Sequence, residues 1–329
     1  MKAIIRAHYG SPDVLQVKEV EKPLLEDHRL LVKVHAASVN ALDWHLMRGK
    51  PFLVRIAGSG LRTPKDQRLG VDLAGRVEAV GRKVTRFQVG DDVFGRGIGA
   101  FADYVCPLED AVVVKPTTMT FEEAAAVPVA ALIALQGLRD TGQIQPGQKV
   151  LIDGASGGVG TFAVQMAKSF GADVTAVCST RNVDMARSLG ADQVIDYTQA
   201  DVTRTGQRYD LIMAVNGYHP LLAYRGVLSP TGRYVMVGAS THLLQAALQA
   251  MLLGPVMSRT GRQKMGLMRA KKPILKDLVF VKDLLEAGKV VPVIDRRYPL
   301  HEVPDAIRYL EEGHARGKVV ITVDQNDHI

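Results

Sequence analysis

The sequence predicts an α/β protein in which a doubly wound parallel sheet is joined to a second, β-rich domain. Three observations lead to this prediction. The first third of the chain carries short β-branched runs, the middle third alternates strand-like with helix-like segments, and a glycine-rich turn follows the first of the middle strands. A length of 329 residues also favours two domains over one compact core.

The β-rich domain is predicted from six short β-branched runs near the start of the chain, which are punctuated by glycine. The runs are KAIIRA, LLVKVHA, GVDLAGRVEAVG, DDVFGR, ADYVCP and AVVVKP. Their spacing is typical of an antiparallel or barrel-like domain. From Phe121 the pattern changes, and FEEAAAVPVAALIALQGLRDTG predicts a helix or a helix pair.

The middle third predicts a Rossmann-type domain, because alternating strands and helices form βαβ units around a parallel sheet. The strand-like and helix-like segments run from KVLID through TFAVQMAKSFG, DVTAVCS, VDMARSLG, QVIDY and YDLIMAV to RYVMVGA. The tail, from ILKDLVFVKDLLEAG to KVVITVD, is interpreted as a return to the first domain. The predicted boundaries are therefore 1–122, 123–269 and 270–329, with the last segment completing the first domain.

Composition is typical of a soluble globular protein, with 47% apolar and 23% charged residues. No apolar run approaches the roughly 20 residues that cross a bilayer, so we expect a cytoplasmic protein without membrane insertion. The only two cysteines, Cys106 and Cys178, lie far apart and exclude a disulfide framework or a cysteine-rich zinc site.

Much of the net charge of +7 comes from basic residues between positions 259 and 276. We interpret them as a solvated face, with a funnel for an anionic cofactor or nucleic acid as the alternative. Aromatic residues are not interleaved with these charges, so no nucleic-acid partner is expected. The methionine-containing segment 243–268 is predicted to cover an acceptor site, to form the interface of a homodimer, or to pack in the core.

The segment KVLIDGASGGVGTFAVQMAK predicts a dinucleotide site, because a strand runs through a glycine-rich turn directly into an amphipathic helix. Backbone N–H groups at the beginning of such a helix bind a pyrophosphate, and glycine leaves room for it. Gly157, Gly158 and Gly160 supply that room. Ala155 stands where the commonest form of the motif has its first glycine.

The end of the next strand indicates which nucleotide binds. NAD-specific sites usually place an acidic residue there for the ribose hydroxyls, whereas this strand ends in Cys178, Ser179, Thr180 and Arg181. Two hydroxyls and a guanidinium suit a 2′-phosphate. The sequence therefore favours NADP(H), although Arg181 can also be an ordinary surface residue.

These residues make the chain similar to the zinc-independent quinone oxidoreductase branch of the medium-chain dehydrogenases/reductases. It resembles most the reticulon-interacting mitochondrial NADPH oxidoreductases and their bacterial relatives. The similarity covers essentially the whole chain, and its most specific parts are GASGGVGTFA and the terminal GHARGK. It implies a GroES-like β-rich catalytic domain split by the Rossmann domain.

The resemblance also implies a set of cofactor contacts. Around the pyrophosphate it implies Ser156, Gly158 and Val159, with Ser179 at the 2′-phosphate and Tyr197 near the adenine. From the other domain it implies His314, Ala315 and Arg316. Without the resemblance, Tyr197 would be interpreted as a half-buried residue at a strand end and His314 as a group following a helix. Asn216 lies one residue later than the family pattern and is not assigned.

Zinc-dependent members of the superfamily have a cysteine at the position of Asn40 and a GHE triplet where this chain has Gly70, Val71 and Asp72. Asn40 and Val71 thus replace two metal ligands, and a catalytic zinc needs three protein ligands. We expect no metal. We expect Asp72 to hold a turn or to pair with a nearby cation.

Without zinc, the chemistry favours acceptors whose reduced anion is stable by itself, such as quinones and α,β-unsaturated carbonyls. The expected acid–base or binding residues are Asn40, Asp43 and His45, with His45 as a candidate proton donor. Asn40 and Asp43 also suit a capping pair for a short helix. The predicted activity is reduction of such an acceptor by NADPH. The alternatives are an alcohol dehydrogenase or aldehyde reductase, and a weakly catalytic nucleotide sensor or RNA-binding relative.

Overall fold

A computed structural model describes residues 1–238, 249–255, 258, 262–268 and 275–323, without the side chains of 57 and 58. The chain divides into two compact units. Unit 1 comprises 1–130, 273–286 and 292–329, and unit 2 comprises 131–272 and 287–291. Most of segment 243–268 and much of the basic stretch, including Arg259, Arg269, Lys271 and Lys272, lie outside the described residues.

Unit 1 is β-rich, as its sequence predicts. Its main sheet has seven strands, which lie in the order β14-β15-β3-β4-β5-β7 with β6 beside β3. Only the β14–β15 pair is parallel. The strands of unit 1 are β1 (Lys2–Arg6), β2 (Leu15–Glu19), β3 (Leu30–Val39), β4 (Asp72–Val80), β5 (Asp92–Arg96), β6 (Tyr104–Val105), β7 (Val112–Val114), β14 (Ile294–Pro299) and β15 (Lys318–Thr322).

The helices of unit 1 are α1 (Ala41–Arg48), α2 (Phe121–Ala125), α7 (Leu275–Glu286) and α8 (Val303–Glu311). Apolar residues on alternate positions of β3, including Leu30, Val32 and Val34, pack with Ile307 of α8 in one core cluster. The predicted return of the tail is thus seen in β15, which pairs antiparallel with β3.

Unit 2 is the predicted Rossmann domain. Its six strands are parallel and lie in the order β10-β9-β8-β11-β12-β13, which is the doubly wound order with the switch point beside β8. The strands are β8 (Lys149–Asp153), β9 (Asp173–Cys178), β10 (Gln193–Asp196), β11 (Tyr209–Ala214), β12 (Leu228–Met236) and β13 (Lys264–Leu267). The helices are α4 (Gly158–Ser169), α5 (Val183–Ser188) and α6 (Leu221–Gly226).

The unit boundaries differ slightly from the predicted ones. The predicted helix pair forms α2 and α3 (Pro128–Leu135), followed by a π-helical turn at Gln136–Thr141. The first boundary falls inside α3 and not at 122, because α2 packs on β3 and β4 of unit 1. Residues 287–291 join unit 2, where Val291 exchanges two hydrogen bonds with the Gln165 side chain, at 2.8 and 2.9 Å.

None of the helices within the described residues is both long and apolar enough to cross a lipid bilayer.

Candidate cofactor-binding site

Three adjacent strands of unit 2 end at the same edge of the sheet. Asp153, the last residue of β8, is paired in register with Val177 of β9 on one side and with Ala214 of β11 on the other. Because carboxyl ends of parallel strands meet at one edge, the segments that follow these strands lie side by side. They contain the glycine-rich turn, Ser179 and Asn216.

The glycine-rich turn has the backbone that a dinucleotide site requires. Gly154 has a φ of +84°, a conformation that side-chain-bearing residues rarely adopt. A Cβ on Gly160 would overlap the carbonyl oxygen of Gly154, so the turn closes tightly on α4. A Cβ on Gly157 would meet only that oxygen, at 3.9 Å, which leaves open space before the helix. The residues present therefore fit a phosphate group held at the beginning of α4.

The predicted pyrophosphate contacts form a continuous, partly exposed run. Ser156, Gly157, Gly158 and Val159 are half-buried, whereas Gly160 is buried under the turn. Their contact with the cofactor stays a prediction. Ala155, the departure from the commonest motif, is fully buried and its N–H donates to the carbonyl of Val177 at 3.0 Å. Its methyl group thus points away from the open side of the loop.

The turn after β9 contains an acidic neighbour that the sequence analysis missed. Asp196 ends β10 and is paired in register with Cys178, so its carboxylate reaches the turn from the next strand. Thr180 donates its hydroxyl to Asp196 at 2.6 Å, and this hydrogen bond holds the pKa of Asp196 below its usual value. The Thr180 hydroxyl is thus engaged within the protein, and its contact with a phosphate stays a prediction.

Ser179 and Arg181 remain candidates at this turn. Ser179 precedes the short 3₁₀ turn Thr180–Asn182, and its hydroxyl oxygen accepts from the Asn182 amide at 3.1 Å. The hydroxyl hydrogen of Ser179 is not used by that bond. Arg181 is exposed beside it. Their role at a 2′-phosphate stays a prediction.

Two tyrosines lie together at the same edge. Tyr197 follows β10, donates its backbone N–H to Cys178 at 3.0 Å and leaves half of its surface exposed. Its ring is tilted against that of Tyr218, with 5.7 Å between centroids. Tyr218 was not assigned from sequence, although it lies in the loop after β11, which also contains Asn216. The backbone N–H of Asn216 donates to the Asp153 carbonyl at 3.1 Å, which holds that loop against the glycine-rich turn.

In unit 1, Asn40 belongs to a buried polar cluster with Asp72 and Lys318. Lys318 donates to the Asn40 side-chain oxygen at 2.5 Å, and the Asn40 amide donates to Asp72 at 2.9 Å and to the Ser38 carbonyl at 3.3 Å. Both amide hydrogens of Asn40 are thus engaged. The expectation that Asn40 donates directly to an acceptor or to the nicotinamide ribose is not supported by this geometry.

Asp72 is completely buried in the same cluster and pairs with Lys318 at 3.3 Å, which confirms the prediction that it pairs with a cation. It also accepts from the Ser38 hydroxyl and from the Val129 N–H, both at 2.9 Å. Lys318 was missed because its position reads as the beginning of an apolar strand, KVVITV. A lysine that begins a fully buried strand is itself the sequence signal, since such a charge needs a partner.

Asp43 is also completely buried. One carboxyl oxygen accepts from the Asn40 backbone N–H at 2.8 Å, as a capping residue of α1 does, and the other has no hydrogen-bond partner among the described residues. Burial raises the pKa of Asp43 to about 7. This geometry supports the capping interpretation and gives Asp43 no exposed surface through which to contact an acceptor.

His45 lies on α1 with its ring stacked on Trp44. Its Nδ1 lies 2.8 Å from the carbonyl oxygen of Lys50, so Nδ1 carries the hydrogen. Burial lowers the pKa of His45. A neutral ring in this tautomer leaves Nε2 as an acceptor, and this weighs against the predicted proton-donating role.

His314, Ala315 and Arg316 form the connection between α8 and β15, after the end of the helix. The Arg316 N–H donates to Asp295 at 2.8 Å. Gly317, with a φ of +101°, lies so close to Val293 that a side chain would not fit. The connection is therefore fixed within unit 1, and the predicted approach of its residues to the cofactor stays a prediction.

Within the part of the chain that the structure describes, no three His, Cys, Asp or Glu side chains are grouped as a metal ion requires.

Two known family models match parts of the chain. Residues 26–117 match the alcohol dehydrogenase GroES-like domain, and residues 189–321 match the family described as zinc-binding dehydrogenase.

Several proteins are similar over nearly the whole chain. The mitochondrial NAD(P)H oxidoreductase RTN4IP1 of Bos taurus is 32% identical, over 98% of this chain and 89% of its own length. The 2-methylene-furan-3-one reductase of Solanum lycopersicum is 34% identical, over 98% and 79%. The solved quinone oxidoreductase of Coxiella burnetii is 30% identical and superposes with a TM-score of 0.86, over 98% of this chain and 99% of that one.

Proposed function

Because the chain belongs to the quinone oxidoreductase branch of the medium-chain dehydrogenase/reductase superfamily, we propose that it uses NADPH to reduce quinones or α,β-unsaturated carbonyls without zinc. The chain is an oxidoreductase that uses a nicotinamide cofactor and a small-molecule substrate. The observation that carries the proposal is the tight, glycine-rich turn from Gly154 to Gly160 at the beginning of α4.

The bound cofactor would supply a hydride, and the protein supplies its position. N–H groups of Gly158 and Val159, at the first turn of α4, have no intrahelical partner and suit the pyrophosphate. Tyr197 and Tyr218 offer exposed rings near the end of β9 for the adenosine part. In unit 1, the loop His314–Arg316 is the candidate for contacts from the catalytic domain.

The preference for NADPH over NADH is supported by Ser179 and Arg181. The carboxylate of Asp196 lies at the same turn. It would favour NADH if it were free to accept from a ribose hydroxyl. Its oxygens already accept from the Thr180, Thr198 and Gln199 side chains, at 2.6, 2.7 and 3.0 Å. Asp196 therefore acts as an anchor of the turn, and the charge of Arg181 decides the preference.

The absence of zinc chemistry is supported by the two positions that would bind the metal. The Asn40 side-chain oxygen accepts from the Lys318 ammonium at 2.5 Å, and the Val71 side chain has no atom that can ligate a metal. Hydride addition to a conjugated acceptor gives a delocalised enolate or phenolate, which takes a proton from water without a metal or a strong acid. The relative from Solanum lycopersicum is named for a substrate of this kind, an α,β-unsaturated ketone.

An acceptor panel tests this proposal. Purified protein is mixed with NADPH and, in separate reactions, a benzoquinone, an alkyl vinyl ketone, a saturated aldehyde or an enoyl thioester, and NADPH consumption is followed by absorbance. We expect turnover with the quinone or the vinyl ketone and not with the saturated aldehyde. Faster reduction of the saturated aldehyde would favour an aldehyde reductase, and salt-sensitive RNA binding without any turnover would favour the sensor alternative.

A further inference from the structure

The Asp153 carboxyl lies directly behind the glycine-rich turn, and nothing in the proposed function uses it. Asp153 is the last residue of β8 and only 2% exposed. It accepts a hydrogen bond from the Tyr224 hydroxyl, and it immediately precedes Gly154, the first residue of the turn. The carboxyl is therefore a buried acceptor at the point where the turn begins.

Tyr224 connects the same carboxyl to the loop after β11. It is fully buried on α6, and the His219 N–H points at its hydroxyl oxygen at 3.5 Å. A Cβ on Gly217 would lie 2.9 Å from that oxygen, so the loop closes directly over the hydroxyl. Asp153 and Tyr224 thus fasten this loop, which carries Tyr218, to the glycine-rich turn.

Among the described residues, the groups that interact with the Asp153 carboxyl supply no compensating positive charge. They are Tyr224 on α6, Tyr234 on β12 and Tyr218 on the loop after β11, where His219 packs against Tyr224. Burial raises the pKa of all three phenols and lowers that of His219, so these groups are neutral near pH 7. His219 is itself directed at Asp201, at 3.3 Å.

Burial also raises the pKa of Asp153 to about 7, against the opposing effects of the Tyr224 and Gly154 hydrogen bonds. Near neutral pH, the carboxyl is therefore present in both protonation states. An anion that arrives at the adjacent turn disfavours the ionised state, because Coulomb repulsion is only weakly screened inside a protein.

We propose that Asp153 is a positioning residue of the cofactor site and that it takes up a proton from solvent when the phosphates of a dinucleotide bind at the glycine-rich turn. The neutral carboxyl still accepts from Tyr224, so the loop after β11 stays fastened to the strand end while the repulsion is removed. This inference rests on the proposed function only in that a dinucleotide binds at this turn.

Titration calorimetry tests the inference. NADPH binding is measured at pH 7 in two buffers with different ionisation enthalpies, and the difference gives the number of protons taken up. Since a carboxyl that is half ionised becomes neutral, Asp153 contributes up to about half a proton. We expect Asp153→Asn to lose this contribution. Asp210→Asn is the matched control, because Asp210 lies on β11 near the opposite end of the sheet, where it accepts from the Lys149 N–H.

Tyr224→Phe gives a second, independent readout. Removal of the hydroxyl takes away a donor that favours the ionised carboxyl, so the pH profile of proton uptake should move to higher pH. Equal proton uptake in wild type and Asp153→Asn would overturn the inference, as would an unchanged profile in Tyr224→Phe. Wild-type protein that does not bind NADPH at all would instead contradict the proposed function.

Discussion

Lys318 donates a hydrogen bond to the side chain of Asn40 at 2.5 Å, across a sequence separation of 278 residues. The contact fastens β15, from the tail of the chain, to the end of β3 in unit 1. It also places an ammonium group beside the buried Asp72 carboxylate, at 3.3 Å.

Lys318→Met should destabilise the protein strongly, because it leaves the buried Asp72 carboxylate without its cation. We expect a loss of about 3–5 kcal/mol in the free energy of unfolding, measured by urea denaturation. Lys22→Met removes an exposed ion pair with Glu78, at 3.3 Å, and should cost less than about 1 kcal/mol. Similar losses in the two variants would show that the buried cluster does not stabilise unit 1.

Arg181→Ala should weaken NADPH binding and leave NADH binding unchanged, because only NADPH carries the 2′-phosphate. Loss of one charge-assisted hydrogen bond predicts a KM for NADPH about 10-fold higher or more. Arg187→Ala is the control, since Arg187 is an exposed arginine on the neighbouring α5. An equal effect of Arg181→Ala on both cofactors would refute the assignment of this turn to the 2′-phosphate.

Alanine substitutions at three glycines distinguish two effects: that of the turn's shape on stability, and that of the open space before α4 on NADPH binding. Gly160→Ala should destabilise unit 2, because its Cβ overlaps the Gly154 carbonyl. Gly157→Ala should fold normally and bind NADPH less tightly, since its Cβ points into open space. Gly226→Ala, at the end of α6 and also without neighbours, should change neither property. Melting temperature and NADPH affinity, measured on all three variants, check this order.

The contribution of Asp43 and Asp153 to stability should fall as pH rises from about 4 to about 7, because both carboxyls bind protons more tightly when the protein is folded. Both have a pKa of about 7 in the folded protein and 3.8 as their ordinary value. Below pH 4 the two carboxyls are protonated in both the folded and the unfolded state. Above pH 7 the folded state must hold an ionised carboxylate in the protein interior. The ionisation of each residue then lowers the free energy of unfolding by on the order of 4 kcal/mol.

Asp43→Asn tests the predicted direction of this pH dependence. The difference in unfolding free energy between this variant and wild type should move in favour of the variant between about pH 4 and pH 7. Asp184→Asn changes an exposed carboxyl on α5 and should show no such trend. A difference that stays constant with pH would mean that Asp43 titrates normally.

Much of the fold follows from local sequence. The alternation that begins with KVLID predicts the parallel sheet, and GASGGVG predicts the turn before α4, because both depend on residues close in the chain. The strand runs of unit 1 are predicted for the same reason.

The contacts between distant segments could not be predicted. Asp196 reaches Thr180 because β10 pairs with β9, and Lys318 reaches Asn40 because β15 pairs with β3. Asp153 gave no signal, since an acidic residue at a strand end is usually solvated, and only the placement of Tyr224 on α6 makes it a buried acceptor. These residues acquire their roles from strand order and register.

Metal-free turnover tests the central claim most directly. The protein is treated with a strong chelator, its zinc content is measured by mass spectrometry, and NADPH-dependent reduction of a conjugated acceptor is compared before and after. We predict an unchanged rate at a zinc content far below one ion per chain. A rate that disappears with the metal and returns when zinc is added would contradict the account.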